Sequence, residues 1–237
     1  MAHRYGLHPS VPDRRDFVLD HTASLGLLPK SATLKAIPAV RDQGQEGSCT
    51  GFSITSAYAA QRPGVYSPAY LYYMERKAEH TTSQDAGAQI RDGLKIIQKQ
   101  GVCTEALMPY AVGDFTVAPP PAAVAEAKEN RIRTYARAKG VDGAKHALAM
   151  NRPVVLGISV YASFEAVGKD GVVPMPAPNE QLMGGHAILA VGYDDFTQRL
   201  KLENSWGASF GDGGFIYLPY AYVDDPQLTF EVWVVTA

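Results

Sequence analysis

The chain has 237 residues, of which 46% are hydrophobic and 19% are charged. It therefore has the size and composition of one compact globular unit that can be divided into two lobes. Its formal net charge of -2 gives no electrostatic reason to expect nucleic acid or an anionic membrane as a partner. Two cysteines do not suggest a disulfide framework, and no apolar run reaches the ~18 residues that a membrane span needs.

The N-terminal segment, residues 1–36, is rich in Pro, Arg, Asp and His and has weak periodicity. We therefore expect an irregular extension in front of a main unit of residues 37–237. The first residues, MAHRYGLHPSVPDRRDF, contain no apolar core of the kind that a secretory signal has. We accordingly expect a cytoplasmic protein, or one exported by a route that does not use a Sec signal peptide.

Helices are predicted for the first half of the main unit. A short extended stretch (37–41) and a glycine-bearing loop (42–48) lead into CTGFSITSAYAA, from Cys49 to Ala60, which predicts a largely buried helix beginning at the cysteine. Capping residues and apolar spacing predict further helices. They cover about residues 68–78, 84–100, 123–133 and 142–150.

The second half of the main unit has a different residue pattern. It contains short runs of β-branched and aromatic residues separated by Gly, Pro and Asp, which is typical of strands. The predicted strands are residues 154–160, 186–193, 199–203, 214–218 and 229–235. Helices that precede a separate set of antiparallel strands indicate an α+β fold.

Three residues at the ends of these elements could carry chemistry. Cys49 lies in the first turn of a helix, where free N–H groups and the helix dipole favour the nucleophilic thiolate. His186 follows a glycine turn at the start of a strand, and Asn204 follows the end of another. Taken singly, each residue is more often structural: a small core residue, a buried histidine or a turn asparagine.

The segments around these residues are what distinguish them. They are Gln43-Gly44, Gly47-Ser48-Cys49 and Phe52-Ser53; Gly185-His186-Ala187 with Val191-Gly192-Tyr193; and Asn204-Ser205-Trp206-Gly207 with Gly211, Gly214 and Phe215. In this order, and with about 137 residues between the cysteine and the histidine, they resemble the three active-site motifs of the papain family of cysteine peptidases. Weaker similarity extends the resemblance over roughly residues 37–218.

The resemblance implies a two-lobed fold, with a helical lobe (about 42–120) and an antiparallel β-barrel-like lobe (about 121–237) on either side of the active-site cleft. It implies a Cys49 nucleophile, a His186 base, an orienting Asn204 and an oxyanion-binding Gln43. The substrate-binding residues that it implies are Gly87, Ile90, Gly157, Gly185, Ala187 and Trp206. The expected partner is a protein or peptide substrate; no cofactor is expected, and the oligomeric state is left open.

Several positions depart from the best-known members of the family. Glu46 stands where many of them have a disulfide-forming cysteine, Thr50 replaces a tryptophan, and Gly185 replaces a polar residue. These changes resemble disulfide-free bacterial members. Glu46 is either a charge near the cleft or an exposed, solvated side chain. Cys103 has no base motif near it and is interpreted as a structural or surface cysteine, and the histidines show no spacing typical of a metal site.

Three functions are compatible with these residues. The first is hydrolysis of peptide bonds, the second is acyl transfer or deamidation through the same thioester, and the third is binding without catalysis. All four expected active-site residues are present, which argues against the third. The extension, residues 1–36, either partly covers the cleft near Cys49, holds the two lobes together or is disordered.

Overall fold

The computed structural model describes residues 4–19 and 28–237. Within them the helices are α1 (Cys49–Ala59), α2 (Pro68–Ala78), α3 (Ile90–Lys99), α4 (Pro121–Ala127), α5 (Gly140–Ala149), α6 (Ala162–Glu165) and α7 (Tyr220–Asp224). The strands are β1 (Ser31–Thr33), β2 (Thr134–Arg137), β3 (Val154–Tyr161), β4 (Leu182–Asp194), β5 (Arg199–Glu203), β6 (Phe215–Pro219) and β7 (Thr229–Thr236). None of these helices is long and apolar enough to cross a membrane.

Helix α1 is the centre of the helical part. Every residue from Cys49 to Tyr58 is buried, which is typical of a helix that is surrounded by other elements on all sides. It packs against α2 and α3 on one side and against strand β4 on the other. Since α1 begins at Cys49 as predicted, the thiol lies where the helical part meets the sheet.

The sheet is antiparallel throughout and has the order β2-β7-β3-β4-β5-β6, with β1 paired to the end of β4. The long strand β4 pairs with β3 over its first part and with β5 and β1 over its last part. The predicted α+β class is therefore confirmed. The lobe boundary near residue 121 stays a prediction.

Some predicted boundaries were wrong. The helix expected from residue 84 begins only at Ile90, because Ala88 pairs with Leu7 of the N-terminal extension as an isolated bridge. The helix expected over 123–133 is α4 and ends at Ala127, after which the chain turns and the carbonyl of Asn130 accepts a hydrogen bond from Val102. In both places a tertiary contact overrides local helix propensity.

Four short elements were not predicted, namely β1, β2, α6 and α7. Strand β2 illustrates the reason. Its four residues, Thr134–Arg137, have one fully buried side chain among them, so they carry little alternation for a pattern to detect. The strand forms because it pairs with the buried β7.

Candidate active site

Cys49 is completely buried at the start of α1. Its thiol receives backbone hydrogen bonds from Ala187, Gly6 and Thr50, which favour the thiolate. Burial has the larger effect and raises the pKa of the thiol to about 11. Because Ala187 follows His186 directly in β4, the thiol lies beside the backbone that carries the predicted base.

His186 and Asn204 form a buried pair. The Nε2 atom of His186 is 2.8 Å from Oδ1 of Asn204, and both residues are almost completely shielded from solvent. Oδ1 also accepts the N–H of Ser205 at 2.9 Å, which fixes the orientation of the amide. An Oδ1 acceptor requires the proton of the imidazole to be on Nε2, so Nδ1 is the nitrogen left for exchange with a substrate or a thiol.

Trp206 covers this pair. Its ring centroid lies 4.9 Å from that of His186, with an angle of 34° between the planes. Phe164 and Phe210 pack edge-on against the same indole at 5.6 and 4.8 Å. The aromatic cluster excludes water from the His186–Asn204 bond, and a low local dielectric strengthens such a bond.

Gln43 is also buried, and its side-chain amide is held at both ends. Its Oε1 accepts the hydroxyl of Ser205 at 2.6 Å, and its Nε2 donates to the carbonyl of Glu46 at 2.8 Å. The same nitrogen is 3.4 Å from the carbonyl of Arg4. The amide therefore presents an N–H donor to a carbonyl oxygen in the cleft, as an oxyanion-stabilising residue must.

A segment of the N-terminal extension lies in the cleft and makes backbone hydrogen bonds on two sides. The N–H of Leu7 donates to the carbonyl of Gly185 at 3.2 Å. On the other side, Ala88 donates to Gly6 at 2.7 Å and accepts from His8 at 3.0 Å. These bonds satisfy the backbone of the segment on both walls of the cleft.

Three of the six predicted substrate-binding residues are glycines that let this segment approach closely. A Cβ atom on Gly87 would lie 2.0 Å from the carbonyl oxygen of Gly6, and one on Gly185 would lie 2.6 Å from that of Leu7. A Cβ atom on Gly157 would lie 3.1 Å from the side chain of Leu7. The three residues therefore do lie together, around residues 6 and 7.

The other three predicted substrate-binding residues have different surroundings. Ala187 donates its backbone N–H to the thiol, and Trp206 contacts Tyr5 of the segment, with ring centroids 6.0 Å apart. Ile90 is the first residue of α3 and is fully buried. Its side chain belongs to the core, with no accessible surface of its own.

Comparison with known proteins agrees with this geometry. A sequence model described as "Papain family cysteine protease" matches residues 30–224. The chain is 34% identical, over 99% of its length, to an uncharacterized peptidase C1-like protein of Acanthamoeba polyphaga mimivirus, of which it covers 87%. The chain belongs to the papain family of cysteine proteases. It is thus a hydrolase of a family that acts on proteins.

Solved structures of the papain family extend the comparison. Xylellain, a cysteine protease from Xylella fastidiosa, is 33% identical and superposes with a TM-score of 0.92, over 100% of this chain and 98% of that one. The fold is also shared with digestive procathepsin L2 of Tenebrio molitor, at 22% identity and a TM-score of 0.77, over 99% of this chain and 78% of that one. The predicted papain-like fold is thereby confirmed.

For two side chains of this papain-family chain, the structure decides between the alternatives that the sequence left open. Glu46 is buried, with 3% exposure, and accepts the N–H of Gly113 at 3.1 Å. The alternative of an exposed, solvated glutamate was therefore wrong, and burial raises the pKa of this carboxyl. Cys103 is a free thiol buried in the core, and burial raises its pKa to about 12, so the surface alternative was wrong as well.

Sequence reasoning gave no role to two residues that shape the loop before the nucleophile. The hydroxyl of Tyr110 donates to the carbonyl of Gln43 at 2.7 Å and contacts the hydroxyl of Ser48 at 2.8 Å. Asp85 accepts the N–H of Gly47 and pairs with Arg4 at 2.9 Å. Tyr110 lies in a segment that resembles the family, but only the structure reveals what its hydroxyl binds.

Replacing Ser205 with alanine tests the link between Gln43 and the His186–Asn204 pair. The substitution removes one buried hydrogen bond to Gln43, which is typically worth about 0.5–1.5 kcal/mol. We expect kcat for a fluorogenic peptide to fall about 2- to 10-fold, with a smaller change in KM, because the amide loses its fixed orientation. Ser209→Ala, on the exposed surface nearby, is the control. Equal kcat values for the two variants would contradict the role of Ser205.

Proposed function

We propose that the chain is a cysteine endopeptidase in which Cys49, His186 and Asn204 form the catalytic triad and cleavage proceeds through a thioester on Cys49. The observation that carries the proposal is the position of the thiol. It lies at the start of a buried helix and beside the strand that carries His186, whose Nε2 is bonded to Asn204. A nucleophile, a base and an orienting group in this arrangement form an acyl-transfer site.

The chemistry follows from these contacts. The sulfur of Cys49 attacks the peptide carbonyl carbon, and the proton that the thiol gives to His186 passes to the leaving amine as the C–N bond breaks. Water then adds to the thioester, giving one proton back to His186, and the sulfur leaves as the acid product is released. Asn204 keeps the imidazole in the tautomer that can exchange this proton at Nδ1.

Gln43 supplies the stabilising donor for the tetrahedral oxyanion. Its Nε2 already faces the Arg4 carbonyl oxygen, so that oxygen stands in for the oxygen of a substrate. Loss of a donor of this kind typically raises the barrier by about 3 kcal/mol. The backbone N–H of Cys49, at the free end of α1, is the natural second donor.

Replacement of the two cysteines tests the nucleophile. Cys49→Ala should abolish cleavage of an unfolded protein, because no other group near His186 can form the thioester. Cys103→Ala should retain it. Mass spectrometry of the products separates hydrolysis of the backbone from deamidation or crosslinking of side chains. Modification of the native protein by an epoxide mainly at Cys103, or intact backbones with altered side chains, would contradict the proposal.

We also infer that residues 4–10 block the cleft of the resting enzyme. The thiol of Cys49 is met by the N–H of Gly6, which belongs to the peptide bond between residues 5 and 6, whereas Gln43 faces the carbonyl oxygen of Arg4, in the preceding peptide. The nucleophile and the oxyanion donor thus meet different peptide bonds. The bound segment therefore occupies the site without being in position for cleavage. The alternative is that the extension only holds the lobes together.

Contacts farther along the extension fix it to the body. The carboxylate of Glu231 accepts both the N–H and the hydroxyl of Ser10, and it also accepts the indole N–H of Trp233 at 2.6 Å. Next to them, Arg91 lies 3.4 Å from Asp16. Since Ser10, Glu231 and Arg91 are buried, these bonds are shielded from solvent and hold the segment firmly.

Gly6→Ala tests the block with a single added methyl group. The new Cβ atom would lie 1.9 Å from the carbonyl oxygen of Gly47, so the segment cannot stay in place. We expect turnover of a small fluorogenic peptide to rise at least about tenfold, which a loss of about 1.4 kcal/mol of docking free energy would produce. The control is Val11→Ala, at an exposed position. A lower melting temperature with unchanged turnover per folded molecule would show that the extension only holds the lobes together, and it would contradict the proposal that residues 4–10 block the cleft.

The side chain of Leu7 indicates the substrate that the cleft accepts. It is 95% buried and lies against Gly157, where the ring of Phe230 also packs. An aliphatic side chain that fills an apolar pocket is typically stabilised there by about 1–3 kcal/mol. The family resemblance assigns Gly157 to the pocket for the second residue before the scissile bond, so we expect Leu, Val or an aromatic residue to be preferred there, as measured with a peptide library on the Gly6→Ala variant. Dominance of Arg or Asp there would contradict this pocket assignment.

A further inference from the structure

Glu203 is a buried acid beside the candidate triad that the proposed mechanism does not use. It ends strand β5 immediately before Asn204 and is only 6% exposed. Its side chain faces helix α1, where Ser56 hydrogen bonds to the carboxyl. A buried carboxyl is costly, so its position next to the triad calls for a physical reason.

The second observation is a small cavity that Glu203 and Asn204 share. The residues that line it include Phe52, Ala187 and Leu189. Its volume, about 10 Å³, is close to the least that holds one water molecule. Among the described residues, two that line this cavity each carry a buried polar atom without a hydrogen-bond partner: Oε2 of Glu203 and Nδ2 of Asn204. One is an acceptor and the other a donor.

We propose that Glu203 positions Asn204 through one water molecule in this cavity, which donates to Oε2 of Glu203 and accepts from Nδ2 of Asn204. Each orphaned atom then has a partner, as buried polar groups require. The bridge holds Nδ2 on the side of Glu203 and therefore Oδ1 on the side of His186. Glu203 is a positioning residue, because it acts on His186 only through Asn204.

The surroundings of Glu203 make its charge titratable near neutral pH. Burial raises the pKa of Glu203 to about 7, while the bond from Ser56 and the charge of Arg41 oppose that rise. Arg41 is the charged side chain that faces the same cavity among the described residues, and it is bonded to Glu105 at 2.7 Å. Above this pKa the carboxylate accepts from the water and stabilises a positive imidazole. Below it, the protonated carboxyl competes as a donor and the bridge weakens.

The ring nitrogens of His186 report this coupling without any need for catalysis. In the full chain labelled with 15N-histidine, we expect the His186 titration curve to contain an additional inflection near pH 7. Glu203→Gln should remove that inflection and lower the midpoint, because the neighbouring charge is gone. Glu126→Gln, which replaces a half-buried carboxyl bonded to Thr104, should leave the curve unchanged. Superimposable curves for the wild type and Glu203→Gln would overturn the proposal.

Kinetics give the second readout, which rests on the proposed peptidase function. With Gly6→Ala as background and active sites counted by an irreversible thiol reagent, Glu203→Leu should lower kcat about tenfold, because the Asn204 amide loses its fixed orientation. KM should stay within about twofold. Glu203→Gln keeps an acceptor and should recover most of kcat at pH 6. A merely structural Glu203 would leave kcat per active site unchanged in both variants, which would overturn the proposal. If no peptide is cleaved at all, the proposed function fails while the titration of His186 still decides the bridge.

Discussion

Ser205 joins the two sides of the cleft. Its hydroxyl donates to the side chain of Gln43, its carbonyl accepts the N–H of Gln43, and its own N–H donates to Asn204. Gln43 precedes helix α1, and Asn204 follows strand β5, so this one residue fixes the loop before the thiol relative to the group that orients the imidazole. Catalytic geometry tolerates errors of only a fraction of an ångström, and few other contacts connect these two loops so directly.

The N-terminal segment affects the ionisation of the thiol as well as access to it. Cys49 has no accessible surface, the N–H of Gly6 contacts its thiol, and burial is the main reason that its pKa is high. The free N–H groups of α1 act in the opposite direction. If the segment leaves the cleft as proposed, water would reach the sulfur, the cost of burying the charge would fall and the helix end would dominate. Opening of the cleft would then turn a protected thiol into a reactive one by the same movement.

Much of the site could be predicted because its chemistry requires particular residues in a fixed order. Cys49, His186, Asn204 and Gln43 lie in three motifs that are recognisable without any structure. The family resemblance placed Gly87, Gly157 and Gly185 in the cleft, and the structure supplies the reason, because the N-terminal segment approaches them too closely for a side chain. The contacts that Ser205 and Tyr110 make could not be predicted, because a hydroxyl in a motif does not reveal what it will bind.

The fold, like the site, was predictable in some parts of the chain and not in others. The sequence pattern predicted the start of α1 and the five main strands, since their apolar residues are periodic and their ends carry turn residues. The sequence-based prediction was wrong where contacts with a distant segment determine the local structure. The residues before Ile90 could have extended α3, but they pair with Leu7 instead. The burial of Glu46 depends on Gly113, 67 residues away, and no local pattern carries that information.

The contact between Cys49 and the N–H of Gly6 has a consequence for how the enzyme would respond to its substrate. A blocking segment that cannot be cut survives each opening and remains attached to the enzyme. It then competes as an intramolecular ligand whose effective concentration, on the order of millimolar for a short tether, does not fall when the protein is diluted. Competition of this kind raises the apparent KM and leaves kcat intact. The enzyme would thus cleave scarce peptides slowly and abundant ones at full rate, with the half-saturating concentration set by the chain itself.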